Sequence, residues 1–495
     1  MSQERLNRNQ HPIAKRIIVR GTLILDTPTC LGSGDADSPT DLALLRDSVS
    51  DCALLTGASI AGALRNYLRE YQGGYGVEEQ KGDRATMLFG GTRRDPDGEK
   101  SPLIIHDAIS SKIPIVELRD GVAIESTTGT AKKGQKYDLE LLAAGTEFQL
   151  SFELSIEKKF SQSQQQVLIN LLALALRGLD QGDISIGMKK RRGFGRCHVK
   201  DWQVWNFNLE NHDELIAWLK FEHWCRELLP DRKTYSSIAT ALGVSLENQK
   251  DERDRFLMHA TFQLVGSLLI RSGQDSTGRA PDVVHLKSHR PNESDPVSVL
   301  SGTSLAGVLR HRAERIVNTL GSCSPIVDRL FGFVVGKDSQ ASRLVVHEKV
   351  IKDATDLVQN RIAIDRFTGG AYHGALFDEQ PIFGGDETLV CIELELRNPK
   401  DYEIGLLLLL LKDLWTSDLP VGGESSIGRG RLKGIKADLI HHHPQNPQQW
   451  EISEENGTLH ITDKADKRRS GESVRDTLEG FVKALLLHLG KEVEV

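Results

Sequence analysis

Apolar and polar positions alternate along two stretches, RIIVRGTLIL from Arg16 and ATFQLVGSLLI from Ala260. Their β-branched content and period of two predict a strand at the head of each half of the chain. After a loop comes a segment of small residues, TGASIAGALR from Thr56 and SGTSLAGVLR from Ser301. These predict helices capped by Ser59 and Ser304 and running on through Arg65 and Arg310, with side chains small enough to pack closely on a sheet. Further strands are predicted at EFQLSFELSI from Glu147 and TLVCIELELR from Thr388, followed by the apolar helices QQVLINLLALALRGL and IGLLLLLLKDLW. A glycine-rich loop closes each half: GMKKRRGFGR at 187–196 and GGESSIGRGR from Gly422.

These pairs form one ordered repeat. Gly57 and Gly302 are 245 positions apart, the LFG strings at Leu88 and Leu330 are 242 apart, AIESTTGTA from Ala123 and AIDRFTGGA from Ala363 are 240 apart, and Gly193 and Gly428 are 235 apart. Four matches in the same order read as a duplicated fold, and the shrinking offset reads as loops shortened in the second copy. Interspersed strands and helices predict an α+β sheet with helices on one face in each copy. The expected organisation is a first domain at 1–209, a charged, helical linker at 210–255, a second domain at 256–440 and a C-terminal extension at 441–495. The amphipathic helix SVRDTLEGFVKALLLHLG of that extension is expected to pack on the second domain.

Composition narrows the classes. With 495 residues, 39% of them apolar, the chain can bury a sizeable core. A net charge of −7 argues against a protein that coats nucleic acid over its whole surface, so any nucleic-acid binding has to be local. The six cysteines, at 30, 52, 197, 225, 323 and 391, have neither disulfide-framework nor zinc-like spacing, which suits a reducing cytoplasm. The amino-terminal segment is polar, and the longest apolar run, Gly405 to Leu411, is too short to span a bilayer, so a soluble, cytoplasmic protein with no membrane partner is expected.

In GMKKRRGFGR, the consecutive Lys189, Lys190, Arg191 and Arg192, with Arg196 beyond, lie beside glycines that allow close backbone approach to phosphate. The plain alternative is a hairpin turn with a solvated basic face. The second loop keeps Arg429 and Arg431 without the basic run. No GxxxxGK[ST] and no strand-to-helix GxGxxG occurs, which disfavours an ATPase, and HExxH and GxSxG are absent. His441 to His443 read as an exposed polar loop. The loop LGSGDADSPTDLALLRD offers Asp35, Asp37 and Asp41, suited to binding a divalent ion or to proton transfer, or else serving as turn formers.

As an ordered set found twice, TGASIAGALR behind an aspartate-bearing loop, LFG, AIESTTGTA and RRGFGR resemble the RAMP superfamily. Within it the set is most similar to the Cas seven-type backbone subunits of type III, D-like, CRISPR effector complexes, here as a tandem fusion of two copies. The resemblance implies two ferredoxin-like (RRM-like) domains with hairpin and loop insertions. It implies a metal-dependent endoribonuclease that cuts target RNA at an aspartate on the loop before the small-residue helix. Asp41, sixteen positions before Gly57, fits that place, with Asp37 as alternate. Asp282 is the counterpart in the second half if residues are inserted around Pro291 to Ser294, with Asp275 as alternate.

By the same resemblance, Asp41 and Asp282 would hold magnesium or manganese. Ser59, Arg65, Lys189, Lys190, Arg191, Arg192, Arg196, Ser304, Arg310, Arg429 and Arg431 would contact RNA. Thumb hairpins would fall at Gly121–Gly145 and Arg361–Gly385, carrying Thr128, Gly129, Phe367, Thr368 and Gly369, with Phe367 and Tyr372 able to stack on bases. The implied partners are a guide CRISPR RNA, a single-stranded target RNA, other RAMP-type effector subunits and a large subunit. Two rivals stay open: a non-catalytic scaffold, and a guide-processing nuclease with His198 as general base.

Overall fold

The computed structural model describes residues 12–34, 42–80, 82–91, 98–125, 128–272, 281–321, 325–455, 457–464 and 472–491. Its first half runs β1 (Ile13–Leu25), α1 (Gly57–Gly73), β2 (Leu103–Ile105), a hairpin of β3 (Val116–Ile124) and β4 (Ala131–Leu142), β5 (Glu147–Glu157), α2 (Gln162–Asp180) and β6 (Cys197–Asn208). The sheet is antiparallel in the order β2-β5-β1-β6. Alternation along β1 sends Ile17, Val19, Leu23 and Leu25 to one face, where they meet Leu64 and Leu68 of α1 and Leu172 and Leu176 of α2 in one core. Ile18 points the other way and joins Trp205, Phe207, Trp218 and Phe221 in a second, smaller cluster.

The second half repeats this scheme. It runs β7 (Arg255–Val265), α3 (Gly302–Thr319), β8 (Leu344–Val346), β9 (Lys349–Asp356), a hairpin of β10 (Gln359–Ile364) and β11 (Ala371–Gln380), β12 (Ile382–Arg397), α4 (Asp401–Trp415) and β13 (Arg431–His442). Its central order, β8-β12-β7-β13, is antiparallel and matches the first sheet strand for strand. The chain then adds β14 (Gln448–Glu455) and β15 (Thr458–Asp463) to the edge of this sheet, and α5 (Glu472–His488) lies on α4. A Cβ on Gly405 would collide with the Phe481 backbone, so glycine sets how closely the two helices approach. Tyr402 stacks on His488 with ring centroids 3.9 Å apart.

Several expectations need correction. Ser59 and Ser304 lie inside the first turns; the caps are Thr56 and Ser301, whose extended backbones precede helices that start at Gly57 and Gly302. A Cβ at either glycine would meet the carbonyl of Ile105 or of Val346, so the helix starts tightly against the neighbouring strand. Helix in the linker is confined to His212–Leu219 and Ile238–Leu242. Elsewhere that segment is tied to the first sheet by backbone bonds between Trp202 and Tyr235 and by Gln203, whose amide donates to the Leu229 and Arg232 carbonyls. His441 and His442 belong to β13, not to an exposed loop. His441 Nε2 lies 3.1 Å from Asp254, and His442 Nδ1 lies 3.0 Å from the Arg253 carbonyl.

Candidate nucleic-acid interface

Each half projects a hairpin. The first pairs from Val116 and Leu142 out to Ile124 and Ala131, the second from Gln359 and Glu379 out to Ile364 and Ala371. Gly129 and Gly369 take the left-handed conformation near the tips, at φ 67° and 68°. At the second tip the Asp365 carboxylate accepts the backbone N–H groups of Phe367 and Thr368 and the Thr368 hydroxyl, which hold its pKa below the usual range. This fixed turn presents Phe367 with its side chain 99% exposed, beside an exposed Tyr372. At the first tip the hydroxyls of Thr128 and Thr130 bond each other, 2.8 Å apart. That hairpin also exposes Lys132, Lys133 and Lys136, whose string AKKGQK lies inside the expected thumb and whose basic spacing is the sequence signal for them.

The loop after the first strand returns to this hairpin in both halves. Val283 and Val284 pair in parallel with Glu379 and Gln380, and Leu42 bridges Leu139 in parallel. Leu139 and Glu379 are 240 positions apart, the offset of the hairpin repeat, so Leu42 and Val283 are counterparts; the residues before them in sequence are Asp41 and Asp282. Asp282 is exposed, and its carboxylate accepts the Asp378 N–H at 3.0 Å. Asp35, Asp37, Asp41 and Asp275 lie outside the described residues. The inserted residues also fall where expected. Arg46 bridges Ala53 seven positions on, whereas Lys287 pairs with Ser298 eleven positions on, across a turn with Asn292 at φ 70°. Among the described residues no group of three or more His, Cys, Asp or Glu side chains could hold a metal ion.

The glycine-rich loop of the first half is a plug in the second. Lys190–Arg192 form one 3-10 turn between left-handed Lys189 and Gly193. A Cβ on Gly193 would strike the Glu348 backbone nitrogen, and one on Gly302 would strike the Arg192 carbonyl. The Arg192 guanidinium donates to the Phe331 carbonyl at 3.1 Å, and Arg196 pairs with Glu393 at 3.2 Å. Beside them, buried Arg119 of the first half pairs with Glu348 of the second, which also pairs with Arg290 at 2.6 Å. Burial alone would raise the Glu348 pKa, but the two guanidinium groups hold it below the usual range. Glu393, against His347, Arg196 and Lys349, is held down to about 2 despite its burial, while burial lowers His347 to about 4.

The other predicted contacts divide between paired and exposed side chains. Lys189 lies over the Tyr137 ring at 3.8 Å, whereas Lys190 is exposed and Arg191 half-buried. Arg429 is buried between Glu379 at 3.0 Å and Glu424 at 2.9 Å, and Arg431 is exposed. Arg65 donates to the Gly90 carbonyl and Arg310 to the Gly332 carbonyl, each bracing the turn after its LFG string. Ser59 is exposed and Ser304 half-buried. His198 Nδ1 lies 2.8 Å from Asp26.

Among the described residues no helix is long and apolar enough to cross a membrane. No curated protein matches the chain. The RAMP superfamily profile matches it twice, over residues 22–198 and 261–433. These are the two segments in which strand order, hairpin, parallel bridge and glycine-rich loop repeat, and together they exceed half of the sequence: the chain belongs to the RAMP superfamily.

Proposed function

We propose that this chain is a guide-RNA-binding backbone subunit of a type III, D-like, CRISPR effector complex, and that it cleaves complementary target RNA at the aspartate after the first strand of each domain. Family membership points to a CRISPR-associated RNA-binding subunit. The strand order β2-β5-β1-β6, with both helices on one face, supports the ferredoxin-like description of each domain. The observation that carries the cleavage reading is the parallel bridge that lines the aspartate loop against the exposed hairpin in both halves.

In this reading Phe367 stacks on a base, which splays the strand and exposes a phosphate. Lys132, Lys133 and Lys136 hold the RNA backbone by charge. Asp282, and Asp41 in the first half, orients the 2′-hydroxyl beside that phosphate and accepts its proton. The described residues around Asp282 do not make a protein-built metal site, and magnesium or manganese held by its one carboxylate would take its other ligands from water and phosphate. Sequence is read by base pairing between guide and target.

A scaffold reading has one observation in its favour for the second domain: the Asp282 carboxylate already accepts the Asp378 backbone N–H. The test is a complex reconstituted around a guide RNA and given labelled complementary or scrambled target with magnesium or manganese. Guide-dependent binding with cutting of the complementary strand is expected. Binding without any cut would leave a scaffold, and no guide-dependent binding would remove the RNA-guided reading.

A further inference from the structure

The end of the second domain that lies away from its hairpin holds an open cleft of about 290 Å³, at the small end of the range for ligand sites, about 300–1,000 Å³. β12 leads to it. The strand leaves the hairpin at Ile382 and ends at Arg397, where Arg343, on the cleft wall, donates to the Arg397 and Asn398 carbonyls at 3.4 Å and 2.8 Å. Its 16 residues of extended chain span about 50 Å, so the cleft is a separate place from the candidate RNA interface. The walls are Arg329, Gln340, Arg343, Lys400, Tyr402 and Glu403. Three are cations and one is a carboxylate, so two positive charges are left over. Glu403, fully buried, is the partner of Arg343. Arg329 and Lys400 are exposed and have no carboxylate partner among the described residues. Asp338 and Asp401 are close in sequence but do not line the cleft. Tyr402 is held as an aromatic wall by its stack on His488, the ring planes 4° apart.

The fold does not call for these cations. The first half repeats the local frame: Gln164 accepts the Ser161 N–H at 2.9 Å at the start of α2, as Glu403 accepts the Lys400 N–H at 3.0 Å at the start of α4. Ser101 donates to the Leu88 and Leu103 carbonyls as Ser342 does to those of Leu330 and Leu344. In that frame Arg329, Arg343, Lys400 and Tyr402 correspond to Met87, Pro102, Ser161 and Ser163. The same turn and helix start thus stand in the first half without any of the charges. Lys400 even opposes the fold, because a positive side chain at the N-cap works against the dipole of α4 and replaces the hydroxyl with which Ser161 caps α2. A bound dianion reverses that sign, since it faces both unpaired cations and the positive end of the helix.

We infer that this cleft binds a nucleoside monophosphate, with its phosphate held by Arg329 and Lys400 and its base against Tyr402. The guanidinium of Arg329 offers a fork for two phosphate oxygens, and Lys400 adds a point charge. Neither guide nor target RNA is needed, so this site and guided cleavage stand or fall separately.

Isothermal titration calorimetry of the full chain with AMP, inorganic phosphate and adenosine tests it, on wild type and on the variant carrying both Arg329→Gln and Lys400→Gln. AMP should bind wild type more tightly than either phosphate or adenosine does, and the double variant should weaken AMP by at least about tenfold. Tyr402→Ala should weaken AMP and leave phosphate unchanged. Both cations are exposed, so the double variant should keep the wild-type circular dichroism; Lys400→Ser, which installs the first half's residue, serves in its place if it does not. AMP affinity undiminished in the folded double variant would overturn the cleft as the seat. Phosphate bound as tightly as AMP would overturn the nucleoside. No heat from AMP at millimolar concentration would overturn the free nucleotide, and a 5′-phosphorylated oligoribonucleotide then held by the same two cations would assign the cleft to an RNA end.

Discussion

Lys190–Arg192 and Ser425–Ile427 make the same turn, entered from a left-handed residue (Lys189 at φ 53°, Glu424 at 60°) and left through a left-handed glycine (Gly193 at 88°, Gly428 at 89°). Their surroundings are opposite. The first turn is pressed between the two domains, and the second faces outward. Just beyond each turn the chemistry also inverts. Phe194 sits in an apolar cluster with Cys30, Leu139 and Leu141, whereas its counterpart Arg429 pairs with Glu379, the counterpart of Leu139. Burial beside Glu424 raises the Glu379 pKa, as expected of crowded carboxylates. Duplication thus preserved the backbone, and side-chain replacement decided which copy joins the halves and which is left for other contacts.

Breaking the joined copy should have the largest effect. Glu348→Ala removes the carboxylate shared by Arg119 and Arg290, leaving Arg119 with Glu117 alone, and should destabilise the chain by about 3–5 kcal/mol in denaturant unfolding. Asp107→Ala, its exposed counterpart bonded to the Gly57 N–H, should cost about 1 kcal/mol. Equal losses would mean that the contact between halves adds nothing.

Acid should act next, and on the same contact. His347 is buried neutral with a folded pKa of about 4, so its contribution is complete above about pH 6.5 and is lost as pH falls toward 4, on the order of 3 kcal/mol. Glu393, depressed to about 2, contributes above about pH 4.5 and loses that contribution as pH falls from there toward 2. A melting temperature flat from pH 7 to pH 4 would contradict the buried neutral ring.

Gly193→Ala and Gly428→Ala sharpen the comparison at equal chemistry. Both place a Cβ at positive φ, which costs about 1–2 kcal/mol. Only at 193 does that Cβ also meet the backbone of the other half, so a larger loss is expected there. The smallest effect on stability belongs to the hairpin tips: Phe367→Ala should leave folding unchanged and weaken RNA binding by about 1–3 kcal/mol, and replacing Lys132, Lys133 and Lys136 by alanine should flatten the salt dependence by about 0.7 per lost phosphate contact.

Much of this architecture was legible from periodicity and repetition. The strand alternation at Arg16 and Ala260 and the two small-residue helices stand where the patterns put them, because each is encoded locally, whereas the hairpins run over Val116–Leu142 and Gln359–Gln380, earlier than the windows the resemblance implied. What was not legible depends on tertiary contact. Basic residues at 189–192 look alike whether they face phosphate or carbonyls, and only the packed structure assigns Arg192 to Phe331. Thr56 and Ser301 take the N-cap positions because the following glycines must abut a strand, which residue preference alone does not reveal; only Thr56 accepts a helix N–H, from Ser59. The strands at Gln448–Glu455 and Thr458–Asp463 are polar and exist by extending a sheet already formed.

The most direct measurement maps the cuts in a labelled target bound to the guide complex, for wild type, Asp41→Ala, Asp282→Ala and both together. Two cuts are expected, one lost with each substitution and both lost in the double variant, with target binding unchanged. Both cuts persisting in the double variant, at undiminished rate and with binding intact, would contradict cleavage by this chain and move the chemistry to another subunit.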